Sequence, residues 1–209
     1  MRYVSVEKEK EVEKFLTDYD IKIRFKSNGY AVWWHRVVAT LVQCMYFLMY
    51  VFTLGRYEDD FNNYNTKFGR YFYLTDSHKP LDVQKYLTYL VIRHELVHVL
   101  QEEQLGRWEY WKRYLVKPFF TVWTYRSDME MEAYTQELLV NYEERGQIPA
   151  RTVDRIVGNF TGPSYLFMNT DEEAVREEFD EVIIGIKSGK ITGLWPYKPK
   201  AFRGKIVNE

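Results

Sequence analysis

The spacing of apolar and polar residues predicts one helix and two strands in the first part of the chain. Between residues 5 and 19, apolar side chains recur at roughly helical spacing among Glu and Lys, which predicts an amphipathic surface helix. Residues 21–25 alternate between apolar and basic side chains, the period of a half-buried strand. Residues 62–74 are rich in Tyr and Phe, alternate weakly and are interrupted by a glycine, which predicts a strand at an exposed sheet edge.

Four further segments have helical periodicity and end at helix-stopping residues. They lie at about residues 82–104, 127–145, 149–157 and 170–189. The first two stop at Gly106 and Gly146, and the last opens with a capping box at residues 170–173. Together with the strands, these segments predict an α+β fold that is predominantly helical.

The longest uncharged run is Val37–Gly55, between Arg36 and Arg56. Its length is sufficient for a membrane span. However, Gln43 and several Thr and Tyr residues are spread along it. We therefore favour a buried core helix, with Cys44 as a core residue, and keep a membrane span as the alternative.

Composition indicates a single globular domain over residues 1–209, with about residues 190–209 as an extended, mildly basic tail. The net charge is -1, so no global electrostatic attraction favours nucleic acid or anionic lipid as the main partner. A single cysteine excludes an internal disulfide, and residues 1–10 lack the apolar segment of a signal peptide. We therefore expect a cytoplasmic protein, and nothing in the composition indicates its oligomeric state.

The strongest chemical signal is the H-E-x-x-H motif formed by His94, Glu95 and His98. On a helix, two histidines four residues apart lie on the same face, so their imidazoles can bind one metal ion. Glu95 lies about 100° further round the helix, close enough to reach a metal-bound water without being a ligand. The motif therefore predicts a metal site on the helix at 82–104.

A catalytic zinc site typically takes a third protein ligand. Gln101 and Gln104 occupy the positions where an H-E-x-x-H-x-x-G-x-x-H motif needs Gly and His, so a third histidine of that kind is excluded. A carboxylate from the helix at 127–145 is the other common solution, and Glu130 and Glu132 are both candidates. These two residues project about 200° apart on a helix, so at most one can face the histidines.

The sequence resembles the gluzincin branch of the zincin metallopeptidases. These proteins share H-E-x-x-H on one helix and a glutamate ligand on a later helix, often written E-x-x-A, and Glu130-Met131-Glu132-Ala133 matches the second motif. The layout of roughly residues 37–145 is also similar to that of small zincin-like proteins from phages and bacteria. The resemblance implies a zincin-like fold, in which the small sheet or edge strand packs on the H-E-x-x-H helix.

The resemblance also implies roles for individual residues. His94, His98 and Glu130 would bind zinc, and Glu95 would act as general base and proton shuttle. Thermolysin-like members have an Asp that supports a zinc histidine, and Tyr134 occupies that position here. The expected function is that of a zinc-dependent hydrolase, or metalloprotease, which cleaves peptide bonds with a metal-activated water.

The residues alone also allow other interpretations. The chain could be a non-catalytic, zinc-stabilised structural or interaction protein, for example a phage virion component. Ser127 and Glu130 could form a capping box instead of a ligand position. A peptidase tethered to a membrane through residues 37–55 is a third interpretation, whereas a peptide deformylase that uses Cys44 is disfavoured because its glycine-rich segment is missing.

Three further features bear on a substrate site. The aromatic segment 107–125 is expected to pack in the core, with a substrate cleft wall as the alternative. The strand at 62–74 could bind an extended peptide substrate by β-augmentation. Candidate oxyanion donors are Tyr125, Arg126 and Tyr134, and His78 is expected in a solvated loop.

Overall fold

The chain is predominantly helical with a three-stranded sheet in a computed structural model, which describes residues 3–52, 65–116, 125–162, 171–194 and 196. This confirms the α+β class. Within those residues, the helices are α1 (Val6–Asp18), α2 (Trp33–Phe52), α3 (Tyr86–Leu105), α4 (Arg107–Trp111), α5 (Tyr125–Arg145), α6 (Ala150–Thr161) and α7 (Glu172–Lys187). The strands are β1 (Lys22–Phe25), β2 (Thr66–Phe68) and β3 (Tyr71–Leu74).

The chain divides into two compact units, residues 1–89 and residues 90–209. The first contains α1, α2 and the sheet, whose strand order is β1–β3–β2. β1 runs parallel to β3, and β2 runs antiparallel to β3. The second contains α4–α7 and most of α3. A single domain over residues 1–209 stays a prediction, as does the packing of the sheet on the H-E-x-x-H helix.

The aromatic segment expected at a sheet edge lies partly at the centre of the sheet. A two-residue turn joins β2 to β3, and its first residue, Gly69, has a φ of 57°, which glycine adopts without the steric cost of a Cβ atom. Three consecutive side chains of β3 are completely buried: Phe72, Tyr73 and Leu74. The expectation of an edge strand is wrong for β3, which pairs on both sides. Residues 62–64 lie outside the described part.

α2 is not the buried core helix that its uncharged sequence predicts. Exposed apolar side chains include Trp33 at 76%, Leu41 at 65% and Phe47 at 62%, and Cys44 is exposed as well. The expectation is wrong because an uncharged run does not determine which of its faces other elements will cover. No helix in the described residues is long and apolar enough to cross a membrane. Residues 53–55 of the run lie outside that part.

Two histidines of the first unit are buried. The Nδ1 atom of His35 shares a 2.8 Å hydrogen bond with the Tyr73 hydroxyl, and the ring stacks on Phe68. The Nδ1 atom of His78 lies 3.1 Å from the Thr88 hydroxyl, and His78 is buried, so the expectation of a solvated loop histidine is wrong. Burial disfavours the charged ring and lowers the pKa of both, that of His35 to about 4.

The core of the second unit lies among α5, α6 and α7. Its completely buried apolar side chains include Leu138, Ile156, Phe160, Val175 and Phe179. Asp171 caps α7 by accepting a hydrogen bond from the backbone N–H of Ala174. Gly146, with a φ of 65°, ends α5 where the sequence predicts. This packing fixes the rotation of α5 about its axis and therefore the direction in which Glu130 points.

The H-E-x-x-H helix is α3, which ends at Leu105, and the predicted stop residue Gly106 follows it with a φ of 82°. The chain then forms α4 and a π-helical turn over Lys112–Val116. Part of the predicted tail is packed rather than extended, since Ile191 and Leu194 are buried. Residues 117–124 of the aromatic segment, residue 195 and residues 197–209 lie outside the described part.

Candidate metal centre

Two histidines on α3 and one glutamate on α5 meet in the second unit. His94 and His98 lie one helical turn apart, and their ring centroids are separated by 5.1 Å. Glu130 Oε2 lies 3.3 Å from His94 Nε2, and Glu130 Oε1 lies 3.6 Å from His98 Nε2. The potential ligand atoms of the three side chains all lie within 4.8 Å of one another. The structure therefore brings together the three residues to which the resemblance assigns metal binding.

These nitrogen–oxygen separations, each to a different oxygen of Glu130, are close to those of a tetrahedral metal site. With zinc–nitrogen and zinc–oxygen bonds of about 2.0–2.1 Å, adjacent ligand atoms of a tetrahedron lie about 3.3–3.4 Å apart. The two observed nitrogen–oxygen separations are 3.3 and 3.6 Å. The group could hold a metal ion, and two imidazoles with one carboxylate form a ligand set that suits zinc.

The three side chains are almost closed to solvent. Their exposed fractions are 12% for His94, 4% for His98 and 1% for Glu130. Glu130 Oε2 is buried and has no hydrogen-bond partner among the described residues. A buried carboxylate oxygen is normally satisfied by a donor or a cation. A metal ion bound by the three residues would satisfy this oxygen.

Burial and charge have opposite effects on protonation at the site. Burial alone would raise the pKa of Glu130, but His98 and His94 outweigh it and hold this pKa well below its ordinary value. Burial would lower the pKa of His94, but the adjacent Glu130 carboxylate outweighs it and raises this pKa. In the metal-free site, the Glu130 carboxylate is therefore paired with His94, which binds a proton readily. A metal cation would replace that proton.

Glu95 lies beside this group without belonging to it. The residue is buried and follows His94 on α3. Its negative charge is among the causes that raise the pKa of His94 and of Tyr114. Its charge therefore acts on the site, as the role of a base that is not a ligand requires.

Tyr114 is a site residue that the sequence pattern did not identify. It lies in the π-helical turn after α4, and its hydroxyl donates a hydrogen bond to Glu130 Oε1. Burial, and then the Glu130 charge, raises the pKa of Tyr114 well above its ordinary value, so the hydroxyl stays a donor. The Arg126 guanidinium lies over the Tyr114 ring, 5.2 Å from its centroid. The only signal in the sequence was the aromatic richness of 107–125.

Glu132, the alternative third ligand, contacts a different residue. Its Oε2 accepts a hydrogen bond from Gln101 Nε2 at 2.8 Å. Gln101 Nε2 also donates to the Met129 carbonyl at 2.8 Å, and Gln101 Oε1 lies 2.8 Å from His98 Nδ1. Glu130 is therefore the carboxylate at the two histidines, whereas Glu132 reaches His98 through Gln101.

Three of the remaining candidate residues, Ser127, Tyr134 and Tyr125, also lie on α5. Ser127 is the third residue of α5, so it is not the N-cap of this helix and does not form a capping box with Glu130. The Tyr134 ring centroid lies 4.8 Å from that of His94, and the Tyr134 hydroxyl accepts a hydrogen bond from Asn159 at 2.9 Å. Tyr134 thus contacts His94 through its ring, in the position where thermolysin-like proteins have an Asp. The side chain of Tyr125 lies outside what the structure describes.

No protein-family model, curated protein or solved structure matches this chain. In the described residues, His94, His98 and Glu130 form the one group of three or more metal-ligating side chains. A functional interpretation therefore depends on the chemistry of that group and its neighbours.

Proposed function

We propose that the protein is a zinc-dependent hydrolase of peptide bonds with a zincin-like fold. The observation that supports this most strongly is the approach of Glu130 to His94 and His98, at 3.3 and 3.6 Å, from a second helix. Glu95 adds a buried carboxylate beside the group. Metal-assisted hydrolysis requires both features, a bound cation and a nearby base that is not a ligand.

His94, His98 and Glu130 would hold the metal. When bound, zinc would lower the pKa of a coordinated water to about 7 and polarise the scissile carbonyl group. One Glu95 carboxylate oxygen would accept a proton from the attacking water and deliver it to the leaving amine nitrogen.

Neighbouring side chains would orient the ligands and the substrate. The Tyr114 hydroxyl holds Glu130 Oε1 and so fixes the rotation of that carboxylate. Arg126, whose guanidinium lies over the Tyr114 ring, would stabilise negative charge on the scissile carbonyl oxygen.

The substitution Glu95→Gln tests this mechanism because it keeps the size of the side chain and removes its basicity. We expect hydrolysis of a quenched-fluorescent peptide mixture to fall by about 10²–10⁴-fold. Zinc content, measured by atomic absorption, should stay at the wild-type level. The matched control is Glu143→Gln, at an exposed position on α5, which should retain hydrolysis. Full activity in Glu95→Gln would remove Glu95 from the mechanism.

A non-catalytic, zinc-stabilised structural or interaction protein is the second candidate. The near-complete burial of His94, His98 and Glu130 favours it, because a catalytic zinc ion needs a position that is open to water or substrate. In that case, chelation would lower the Tm of the zinc-loaded protein, and the wild type would cleave no peptide in the mixture. Wild-type hydrolysis that is lost in Glu95→Gln would exclude this candidate.

A further inference from the structure

Gln101 is a buried polar residue that connects His98 to α5. It lies one turn after His98 on α3 and is 1% exposed. Its side-chain amide makes three hydrogen bonds, each of 2.8 Å, to the His98 ring, the Met129 carbonyl and the Glu132 carboxylate. A buried amide with this many partners is held in one orientation.

The partners determine which end of the amide faces the histidine. Met129 O and Glu132 Oε2 are both acceptors, so the group that faces them must be the NH₂ of Gln101. The carbonyl oxygen of Gln101 therefore faces His98 Nδ1. A flipped amide would place its oxygen against two other oxygens and its NH₂ against the ring nitrogen.

This orientation selects one tautomer of His98. A carbonyl oxygen can only accept, so His98 Nδ1 must carry a proton and donate it to Gln101 Oε1. The Nε2 atom, which faces Glu130 Oε1 at 3.6 Å, is then the nitrogen left to bind a metal. The Glu132 charge strengthens the same arrangement, because an anion that accepts from the amide polarises the amide oxygen towards the imidazole.

We propose that Gln101 and Glu132 form a positioning relay that fixes the tautomer and ring orientation of His98 for metal binding. The proposal rests on the proposed zinc site. It assigns Glu132 a function that is distinct from that of Glu130, although both lie on α5. Outer groups of this kind typically change metal affinity by about 10–100-fold when removed.

The first experiment compares Gln101→Leu with Gln104→Leu, a matched control at an exposed position on the same helix. Zinc affinity is measured by competition with a chelating dye, and the fold of each metal-free variant by circular dichroism. Gln101→Leu should bind zinc about 10–100-fold more weakly than the wild type. Gln104→Leu should bind zinc as the wild type does. Wild-type affinity in Gln101→Leu would overturn the relay.

The second experiment examines His98 in the wild-type protein and does not depend on the folding of a variant. ¹⁵N-labelled histidine in the zinc-loaded chain should give a His98 Nδ1–H signal that exchanges slowly with water, with the metal on Nε2. A His98 that carries its proton on Nε2, or binds zinc through Nδ1, would overturn the relay. A wild type without measurable zinc affinity would instead refute the proposed metal site.

Exchanging the two side chains tests the direction of the hydrogen bonds. Gln101→Glu alone places two carboxylates against each other and should weaken zinc binding. The double substitution Gln101→Glu with Glu132→Gln restores one donor and one acceptor between the two positions but leaves the Met129 carbonyl without its donor, so it should recover part of the lost affinity. If the double variant binds zinc no better than Gln101→Glu, the relay is wrong.

Discussion

The aromatic cluster around His35 and the site around His94 show two outcomes of burying a histidine. His35 lies among Tyr73, Phe68 and other rings without an adjacent carboxylate among its described contacts, and burial lowers its pKa to about 4. His94 is also largely shielded, with 12% of its side chain exposed, yet the Glu130 carboxylate beside it raises its pKa. Burial alone produces a neutral packing residue, whereas burial beside an anion produces a site that binds a cation, either a proton or a metal.

The largest predicted effect comes from removing that anion. Glu130→Gln should weaken zinc binding by more than about 100-fold, because it removes a ligand and not only an outer group. It should also lower the pKa of His94, as burial lowers that of His35, and an NMR titration measures this change. The control is Glu143→Gln on the exposed face of α5, which should leave both quantities unchanged. Zinc affinity that survives Glu130→Gln would identify another third ligand.

The second prediction is a pH dependence of opposite sign in the metal-free and zinc-loaded proteins. The His94–Glu130 pair stabilises the metal-free protein fully between about pH 4.3 and 6.5. These limits are the ordinary pKa values of Glu and His, which apply in the unfolded chain. It is lost as pH rises through the raised pKa of His94 and as pH falls through the lowered pKa of Glu130.

Zinc binding requires the unprotonated His94, so zinc affinity should rise by up to about tenfold per pH unit until the raised pKa of His94 is passed. The Tm difference between the two forms should therefore grow with pH. Titrations by differential scanning calorimetry, with and without zinc, measure it. A difference that is constant from pH 5 to 8 would contradict the coupling of His94 to Glu130.

The smallest effect is expected at His35. Tyr73→Phe removes the hydroxyl that bonds His35 Nδ1 and accepts from the Ala31 N–H, so buried polar groups lose a partner. We expect a loss of about 1–3 kcal/mol in the free energy of unfolding by urea. Zinc affinity should not change, because the hydrogen bonds of the Tyr73 hydroxyl involve His35 and Ala31 and not a proposed zinc ligand. A weakened zinc affinity would show that the His35 cluster and the zinc site are coupled.

The motif itself could be predicted from the sequence because its geometry is local. Four-residue spacing on a helix places His94 and His98 on one face, whatever the rest of the chain does. The choice of Glu130 over Glu132 required a family resemblance, because helical spacing shows only that the two diverge. Gln101 and Tyr114 were not predictable as site residues. Their contacts to His98 and Glu130 depend on how α3, α5 and the π-helical turn pack.

The incorrect expectations have a common physical origin. Val37–Gly55 is uncharged, but coverage of a helix face depends on partners that a local pattern does not specify, and Leu41 and Phe47 are exposed. His78 lies in a polar segment, yet it turns inwards to Thr88. Polarity indicates whether a residue tolerates water, and the tertiary structure decides whether water reaches it.

The most direct test is anomalous X-ray diffraction at the zinc edge from crystals of the zinc-loaded protein. We expect one strong peak, about 2.0–2.1 Å from His94 Nε2, His98 Nε2 and a Glu130 carboxylate oxygen. A peak at other residues, or no peak near α3 and α5 in a zinc-saturated crystal, would contradict the proposed zinc site.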